Sequence, residues 1–202
     1  RHTDSVTSIA FQPGGKILAS GSADLKVKLW DFAAGSEIRT LPGNPQPIFA
    51  MAFSPDGKTV ASAGQDQMIQ LWDAANGAEL ATLEGHSHII RSLAFSPDGR
   101  FLGSGSFDKS IRIWEMPQGA PFKTLSGHSD NVLAVAFHPR GKILASASAD
   151  GTIKLWDFAA GREIGTLDGH GKPVNSVAFD SSGNRMVTGS DDGTVRVWEA
   201  KE

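Results

Sequence analysis

The sequence predicts an all-β chain in which short antiparallel strands form repeating, stacked sheets, and three observations predict it. The five tryptophans, Trp30, Trp72, Trp114, Trp156 and Trp198, follow one another at a constant spacing of 42 residues, a period that marks a solenoid or a ring of repeats. One string recurs in every period. In the third it reads Gly85-His86, then Leu93-Ala94-Phe95-Ser96-Pro97-Asp98-Gly99, then Gly103 to Asp108, then Ile111-Arg112-Ile113-Trp114-Glu115. Finally, the apolar runs are four to six residues long, rich in Val, Ile, Leu and Phe, and separated by turn residues, the punctuation of strands rather than helices.

The elements follow in order within each period. Ser54-Pro55-Asp56-Gly57 and Ser96-Pro97-Asp98-Gly99 carry the residues of a type I turn and join a first strand to a second. Asp150-Gly151 and Asp192-Gly193 mark a tighter hairpin to a third strand, and Asn76-Gly77, Gly35, Gly119 and Gly161 mark the turn to a fourth. That fourth strand is expected around Glu37-Ile38-Arg39-Thr40-Leu41 and its equivalents in four repeats; the fifth has none. A single sheet cannot bury two apolar faces, so neighbouring sheets must stack. Regular stacking of four-stranded sheets gives a β-propeller.

The Gly-His, Ser-Pro-Asp-Gly and Trp-Asp signatures at this spacing resemble the WD-repeat family, over nearly all of the 202 residues and in five in-phase copies. The resemblance implies a WD-repeat β-propeller, one domain or domain fragment over residues 1–202, with five antiparallel blades of which the last lacks its outer strand. It implies a non-catalytic interaction scaffold that binds protein or peptide partners on the channel face. The alternative is a structural or oligomerisation module that completes a larger ring without a ligand of its own. Rings of this family usually hold seven blades and close by borrowing the missing strand from the other terminus. The expectation is therefore a fragment or a subunit that completes its ring by self-association; residue 1 is Arg rather than Met, so a trimmed start is expected as well.

Composition narrows the partners. The formal charge is −3 and the basic residues are scattered singly, whereas a nucleic-acid surface needs clustered Lys and Arg. No nucleic acid is expected. No apolar run approaches a membrane span, and no membrane association is expected. Cysteine is absent, which removes disulfides and thiolate metal sites and suits a cytoplasmic location. No cofactor is expected.

Three polar columns align on the tryptophan. A His lies 28 residues earlier in four repeats: His2, His86, His128 and His170. Ser or Thr lies ten earlier (Ser20, Ser62, Ser104, Ser146, Thr188), and Asp six earlier (Asp24, Asp66, Asp108, Asp150, Asp192). His, Ser and Asp are the parts of a hydrolase triad, but a catalytic set occurs once per site and this one recurs in nearly every repeat. The resemblance instead implies a buried structural network running Asp to His to Ser to the indole of Trp114, Trp156, Trp198 and their equivalents. Repeat two has Asn44 in the His column, within the proline-rich Leu41-Pro42-Gly43-Asn44-Pro45-Gln46-Pro47; a looser network is expected there. His86 and His88 stand two apart, but no third ligand is near in sequence, so no metal is expected and His88 reads as an exposed loop residue.

Positions that differ between copies have been free to specialise. The sharpest lies 23 residues before each Trp: Thr7, Phe49, Arg91, Leu133 and Asn175. The residue before it is always aliphatic (Val6, Ile48, Ile90, Val132, Val174) and expected to be buried. Period-two alternation then puts the variable residue on the opposite face of the first strand; in the resembled family that position opens on the rim of the central channel. Phe49, Arg91 and Leu133 on adjacent blades make a hot-spot composition. Phe107, at the tight hairpin of repeat three, and His88 are expected to belong to the same partner-binding face.

Overall fold

The computed structural model describes residues 1–199, and every regular element among them is a strand. Blade 1 comprises β1 (Val6–Phe11), β2 (Ile17–Ser22), β3 (Val27–Asp31) and β4 (Ser36–Leu41). Blade 2 comprises β5 (Ile48–Phe53), β6 (Thr59–Gly64), β7 (Ile69–Asp73) and β8 (Glu79–Leu83). Blade 3 is β9 (Ile90–Phe95), β10 (Phe101–Ser106), β11 (Ser110–Glu115) and β12 (Ala120–Ser126). Blade 4 is β13 (Val132–Phe137), β14 (Ile143–Ser148), β15 (Ile153–Asp157) and β16 (Arg162–Leu167). Blade 5 has three strands, β17 (Val174–Phe179), β18 (Arg185–Ser190) and β19 (Val195–Glu199). Pairing is antiparallel and in sequence order throughout, as expected from the spacing of turns.

The turns are built as their residues require. Gly57 donates its N–H to the Ser54 carbonyl at 2.8 Å and has φ +70°, while the Ser54 hydroxyl donates to Asp56 Oδ1 at 2.6 Å. The tight hairpin between second and third strands places Gly151 and Gly193 at φ +83° and +81°. Blades 1–3 hold Leu25, Gln67 and Lys109 there at φ +72°, +68° and +71°, a region costly for side chains other than glycine. The preceding aspartate compensates: Asp24 Oδ1 accepts the Lys26 N–H at 3.0 Å and Asp108 Oδ1 that of Ser110 at 2.9 Å.

Four apolar cores join the five blades. Each is made by one face of a blade, from its second and third strands, against the opposite face of the next. Between blades 1 and 2, Ala19, Val27 and Leu29 meet Ile48, Met51, Phe53, Val60 and Trp72. The same columns meet between blades 2 and 3, 3 and 4, and 4 and 5. Close approach requires small residues on the second strand. A Cβ on Gly105 would lie 2.8 Å from Val132 Cγ1, and one on Gly21 2.6 Å from Ile48 Cγ2.

No hydrophobic cluster among the described residues joins blade 5 to blade 1, and the faces that would meet are exposed. Val6, Ile9 and Phe11 are 52%, 57% and 49% exposed, whereas Ile48, Ile90, Val132 and Val174, which share the column of Val6, are fully buried. Val6 thus corrects the expectation of a uniformly buried column, because its blade has no neighbour on that side. At the other end Val195 and Val197 are 71% and 59% exposed, while Val27, Ile69, Ile111 and Ile153 in the column of Val195 are all at 0%.

The column equivalence makes a stability comparison. Ile111→Ala is expected to cost about 2–5 kcal/mol, as a buried truncation, and Val195→Ala less than about 0.5 kcal/mol, as a surface one. Urea denaturation of both variants checks this; a comparable loss in Val195→Ala would mean that its face is covered in solution.

Candidate functional site

The polar columns converge into one buried chain per blade. In blade 3, His86 Nδ1 is 2.7 Å from Asp108 Oδ2, His86 Nε2 is 2.7 Å from Ser104 Oγ, and the Trp114 indole N–H donates to Ser104 Oγ at 3.0 Å. Blade 4 repeats it through Asp150, His128, Ser146 and Trp156 at 2.8, 2.7 and 2.8 Å. Blade 5 does so through Asp192, His170, Thr188 and Trp198 at 2.7, 2.8 and 2.9 Å. The satisfying proton arrangement has Nδ1–H donating to the carboxylate and the hydroxyl donating to Nε2 while accepting from the indole. In blades 1, 3 and 4 the aspartate also caps the loop, Asp24, Asp108 and Asp150 accepting the N–H groups of Thr3, Ser87 and Ser129 at 2.8, 3.1 and 3.0 Å.

Ser, His and Asp therefore stand in the order of a hydrolase triad, but Ser62, Ser104, Ser146 and Thr188 are fully buried. Each hydroxyl is engaged on both sides, by the imidazole (or Asn44) and by the indole. A nucleophile so placed has no access to a substrate, and the indole already occupies one of its two lone pairs.

Blade 2 departs from its sequence expectation. Asn44 is buried, at 3% exposure. Its Oδ1 accepts from Ser62 Oγ at 2.7 Å, its Nδ2 donates to Asp66 Oδ2 at 3.0 Å, and the Trp72 indole donates to Ser62 at 2.9 Å. Gln70, which stands where blades 1 and 4 have Lys28 and Lys154, bonds both Asn44 and Asp66. The network is complete rather than loosened, because the longer amide of Gln70 supplies the bulk and the second contact that the imidazole would have given. The paired change was the signal in the sequence: the only Gln of its column lies in the repeat with the only Asn.

The five variable residues also come together. Thr7, Phe49, Arg91, Leu133 and Asn175 all line a single opening of ≈ 220 Å³ on the axis about which the first strands pack, with Ser8, Ser92 and Ala134 between them. Their placement has a cause that alternation missed. In every blade the variable residue is the unpaired member of a β-bulge: Val6 pairs Ser22 and Ser8 pairs Gly21, so Thr7 is skipped, and Phe49, Arg91, Leu133 and Asn175 are skipped in the same way. A bulge redirects one side chain out of the sheet and explains why the interface positions fall at Val6, Ile9 and Phe11 rather than at every second residue.

Two of the five are spent internally. Thr7 Oγ1 shares its one proton between the carbonyls of Gly21 and Ile48, and Asn175 Nδ2 donates to Asp191 Oδ1. Phe49 and Leu133 are half-buried, and Arg91 is exposed, with one long contact of 3.4 Å to the Phe49 carbonyl. At the same end of blade 3 the rings of His88 and Phe107 lie against each other, tilted by 39° with centroids 5.8 Å apart. His88 lies exposed, with Nδ1 accepting its neighbour's N–H. Among the described residues no three His, Cys, Asp or Glu side chains converge on a metal-sized site.

The network has a definite titration. Burial pushes Asp150 up, but hydrogen bonds from Thr152, His128 and Ser129 outweigh it and lower the carboxylate from 3.8 to about 2. Asp24 is likewise brought to about 2 against burial, by Thr3, Lys26 and His2. His128 is lowered from the usual imidazole value, first by its burial.

The sequence matches the pattern of the WDR3 first beta-propeller domain over residues 27–200 and that of the WD domain, G-beta repeat, over residues 1–31. The nuclear distribution protein nudF of Aspergillus niger is 47% identical over 47 residues, which are 23% of this chain and 11% of that protein. Protein Mut11 of Chlamydomonas reinhardtii is 51% identical over 39 residues, 19% of this chain and 10% of the relative. The ribosome biogenesis protein BOP1 homolog of Drosophila virilis is 49% identical over 43 residues, 21% and 6%. Each match is about one repeat long and spans at most 11% of the relative.

Both kinds of group bind fewer protons folded than unfolded, so stability rises with pH across their ranges. It is expected to be full above about pH 6.5, to decline once the unfolded imidazole of His128 takes a proton, and to fall again from about pH 4 towards 2 as the carboxylates titrate. Urea midpoints measured from pH 8 to 3 check the profile; a midpoint that does not move between pH 7 and 3 would contradict it.

Proposed function

The chain belongs to the WD-repeat propeller family, as a match to its WDR3 first beta-propeller domain, and from that premise we propose that it is a non-catalytic scaffold holding a protein or peptide at the channel rim. Propellers of this family generally serve as protein-interaction scaffolds and are generally non-catalytic. The observation that carries the finer reading is the bulge column: one opening is lined by the residue that varies in every blade, whereas the interface columns on either side of it do not vary in character. Phe49, Arg91 and Leu133 supply an aromatic, a cation and an aliphatic group whose side chains are free of strong internal bonds, the composition of an interaction hot spot. Phe107 and His88 extend that surface over blade 3. The sealed hydroxyls of the polar network support the absence of hydrolytic chemistry. The cytoplasm is the proposed compartment, supported by the cysteine-free sequence.

The exposed end faces favour a second reading, self-association. The face of blade 5 with Val187, Val195 and Val197 and the face of blade 1 with Val6, Ile9 and Phe11 carry the two halves that combine at each of the four internal cores. A second copy set head to tail would reproduce that contact, which is heterologous and therefore open to continued growth unless the rotation closes.

Two experiments separate these readings. For the scaffold, the Phe49→Ala/Arg91→Ala double variant is expected to lose at least about tenfold in affinity for partners captured by the wild type, each hot-spot residue being worth about 2 kcal/mol. Unchanged binding with an unchanged melt would remove the channel rim from the function. For self-association, light scattering over a concentration series is expected to show a mass that grows in the wild type and stays that of one chain in Val195→Asp; one constant monomer mass in both would exclude it.

A further inference from the structure

A different kind of site lies on the outer edge of blade 3. Three other blades place a glutamate from the fourth strand beside the third strand. In blade 1, Glu37 Oε2 accepts from Lys28 Nζ at 2.9 Å and Glu37 Oε1 from the Thr40 hydroxyl at 2.5 Å; Lys28 also reaches Thr40 at 2.6 Å. Blade 4 repeats this with Glu163, Lys154 and Thr166, the ion pair at 2.8 Å. In blade 2 the Thr82 hydroxyl donates to Glu79 at 2.6 Å. These donors hold a carboxylate firmly: the hydrogen bonds from Lys28 and Thr40 lower Glu37 to about 2.

Blade 3 keeps the donors and lacks the acceptor. Register puts Arg112 opposite Thr124 and Trp114 opposite Pro121, where blades 1, 2 and 4 pair the Trp with Glu37, Glu79 and Glu163. Proline is tolerated because β12 is an edge strand whose outward N–H has no partner to lose. The consequence falls on Arg112. Among the described residues no carboxylate lies within 4 Å of its guanidinium, and its Nε is buried without any hydrogen-bond partner, alone in that respect among their buried side-chain nitrogens and oxygens. A cleft of ≈ 130 Å³ opens at this point, lined by Arg112, Trp114, Pro121, Phe122, Lys123 and Thr124. It presents the Arg112 guanidinium and the Thr124 hydroxyl, which share one face of the β11–β12 pair, beside Trp114 and Pro121.

We propose that this cleft binds the carboxylate of an aspartate or glutamate side chain on an acidic segment of a protein partner, which takes the place that Glu37 and Glu163 occupy in the sister blades. An unpaired buried donor is costly, and a carboxylate restores two charge-assisted hydrogen bonds to the planar fork of Arg112, with Thr124 as the third donor. The site is on the outer rim, away from the channel residues, and does not depend on their role.

The test is a titration followed by NMR, using capped Gly-Glu-Gly as probe, capped Gly-Gln-Gly as its neutral control and inorganic phosphate as the competing anion, all at constant ionic strength. The reporters are the Arg112 Nε–H and the Trp114 indole N–H. Saturable movement of the Arg112 signal with Gly-Glu-Gly alone, retained in Pro121→Ala and lost in Pro121→Glu, is the expected result. Pro121→Glu is also expected to melt higher than Pro121→Ala, since it supplies the missing acid internally. No movement, equal movement in Pro121→Glu, or a response to phosphate in preference to the carboxylate would overturn the proposal.

Discussion

Every blade of this protein is a sheet with two apolar faces, and the need to cover both is the constraint on which the rest of the structure depends. A fully buried aliphatic or aromatic side chain is worth about 1.5–3 kcal/mol, and each internal interface buries a set of them, as Val27 and Leu29 do against Ile48, Met51 and Val60. Stacking is therefore compulsory, and it dictates residue size. The second strand carries only small residues at the closest approach, Ala63 and Ala147 in blades 2 and 4 and glycine in blades 1 and 3, where a Cβ on Gly105 would lie 2.8 Å from Val132. Where stacking stops, the same columns emerge exposed, at Val6 and at Val195. Exposure at the ends is a property of the arc, not of weaker residues there.

The polar chain from Asp to His to Ser to Trp solves a problem that stacking creates. The loop that enters each blade must cross the ends of the second and third strands, and its polar groups are buried by doing so. Satisfying each donor and acceptor within the chain avoids a penalty of about 1–3 kcal/mol per orphaned group, and also pins the loop that precedes the first strand. Blade 2 shows that the requirement is satisfaction and not histidine. Asn44 with Gln70 meets the same Asp66, Ser62 and Trp72. Sequence alone pointed to a looser blade because it weighed one substitution, whereas the energy is set by the set of partners.

The fold was legible because its determinants are local and repeated: a 42-residue period, strand-length apolar runs and Ser-Pro-Asp-Gly turns. The hairpins at Asp150-Gly151 and Asp192-Gly193 were visible from their glycine, while those at Leu25, Gln67 and Lys109 take the same backbone without it, their conformation enforced by Asp24, Asp66 and Asp108. The bulge column was found by its variability, not by alternation. The spacing of Val6, Ile9 and Phe11 breaks the period of two, and only a skipped residue puts all three on one face. The open cleft at Arg112 left a fainter trace, since it is written as a missing glutamate on the adjacent strand, at Pro121. A single repeat shows nothing there; the comparison of Glu37, Glu79, Pro121 and Glu163 does.

These cases share a logic that follows from building one domain out of equivalent units. Within a repeat, a position that faces a neighbour is held by that neighbour, so its size and polarity are fixed at each of the four interfaces. A bulge residue is free of this because it pairs with nothing, and an edge-strand residue is nearly free because it pairs on one side. Variation can accumulate at Phe49, Arg91, Leu133 and Pro121 without disturbing the cores. The recognition surfaces proposed for this chain thus lie where the scaffold is indifferent, with the aromatic and cationic groups carried on strands whose opposite faces are locked in the cores. Rigid interfaces would suit such a proposed surface, since a backbone that is already ordered loses less entropy when a partner binds.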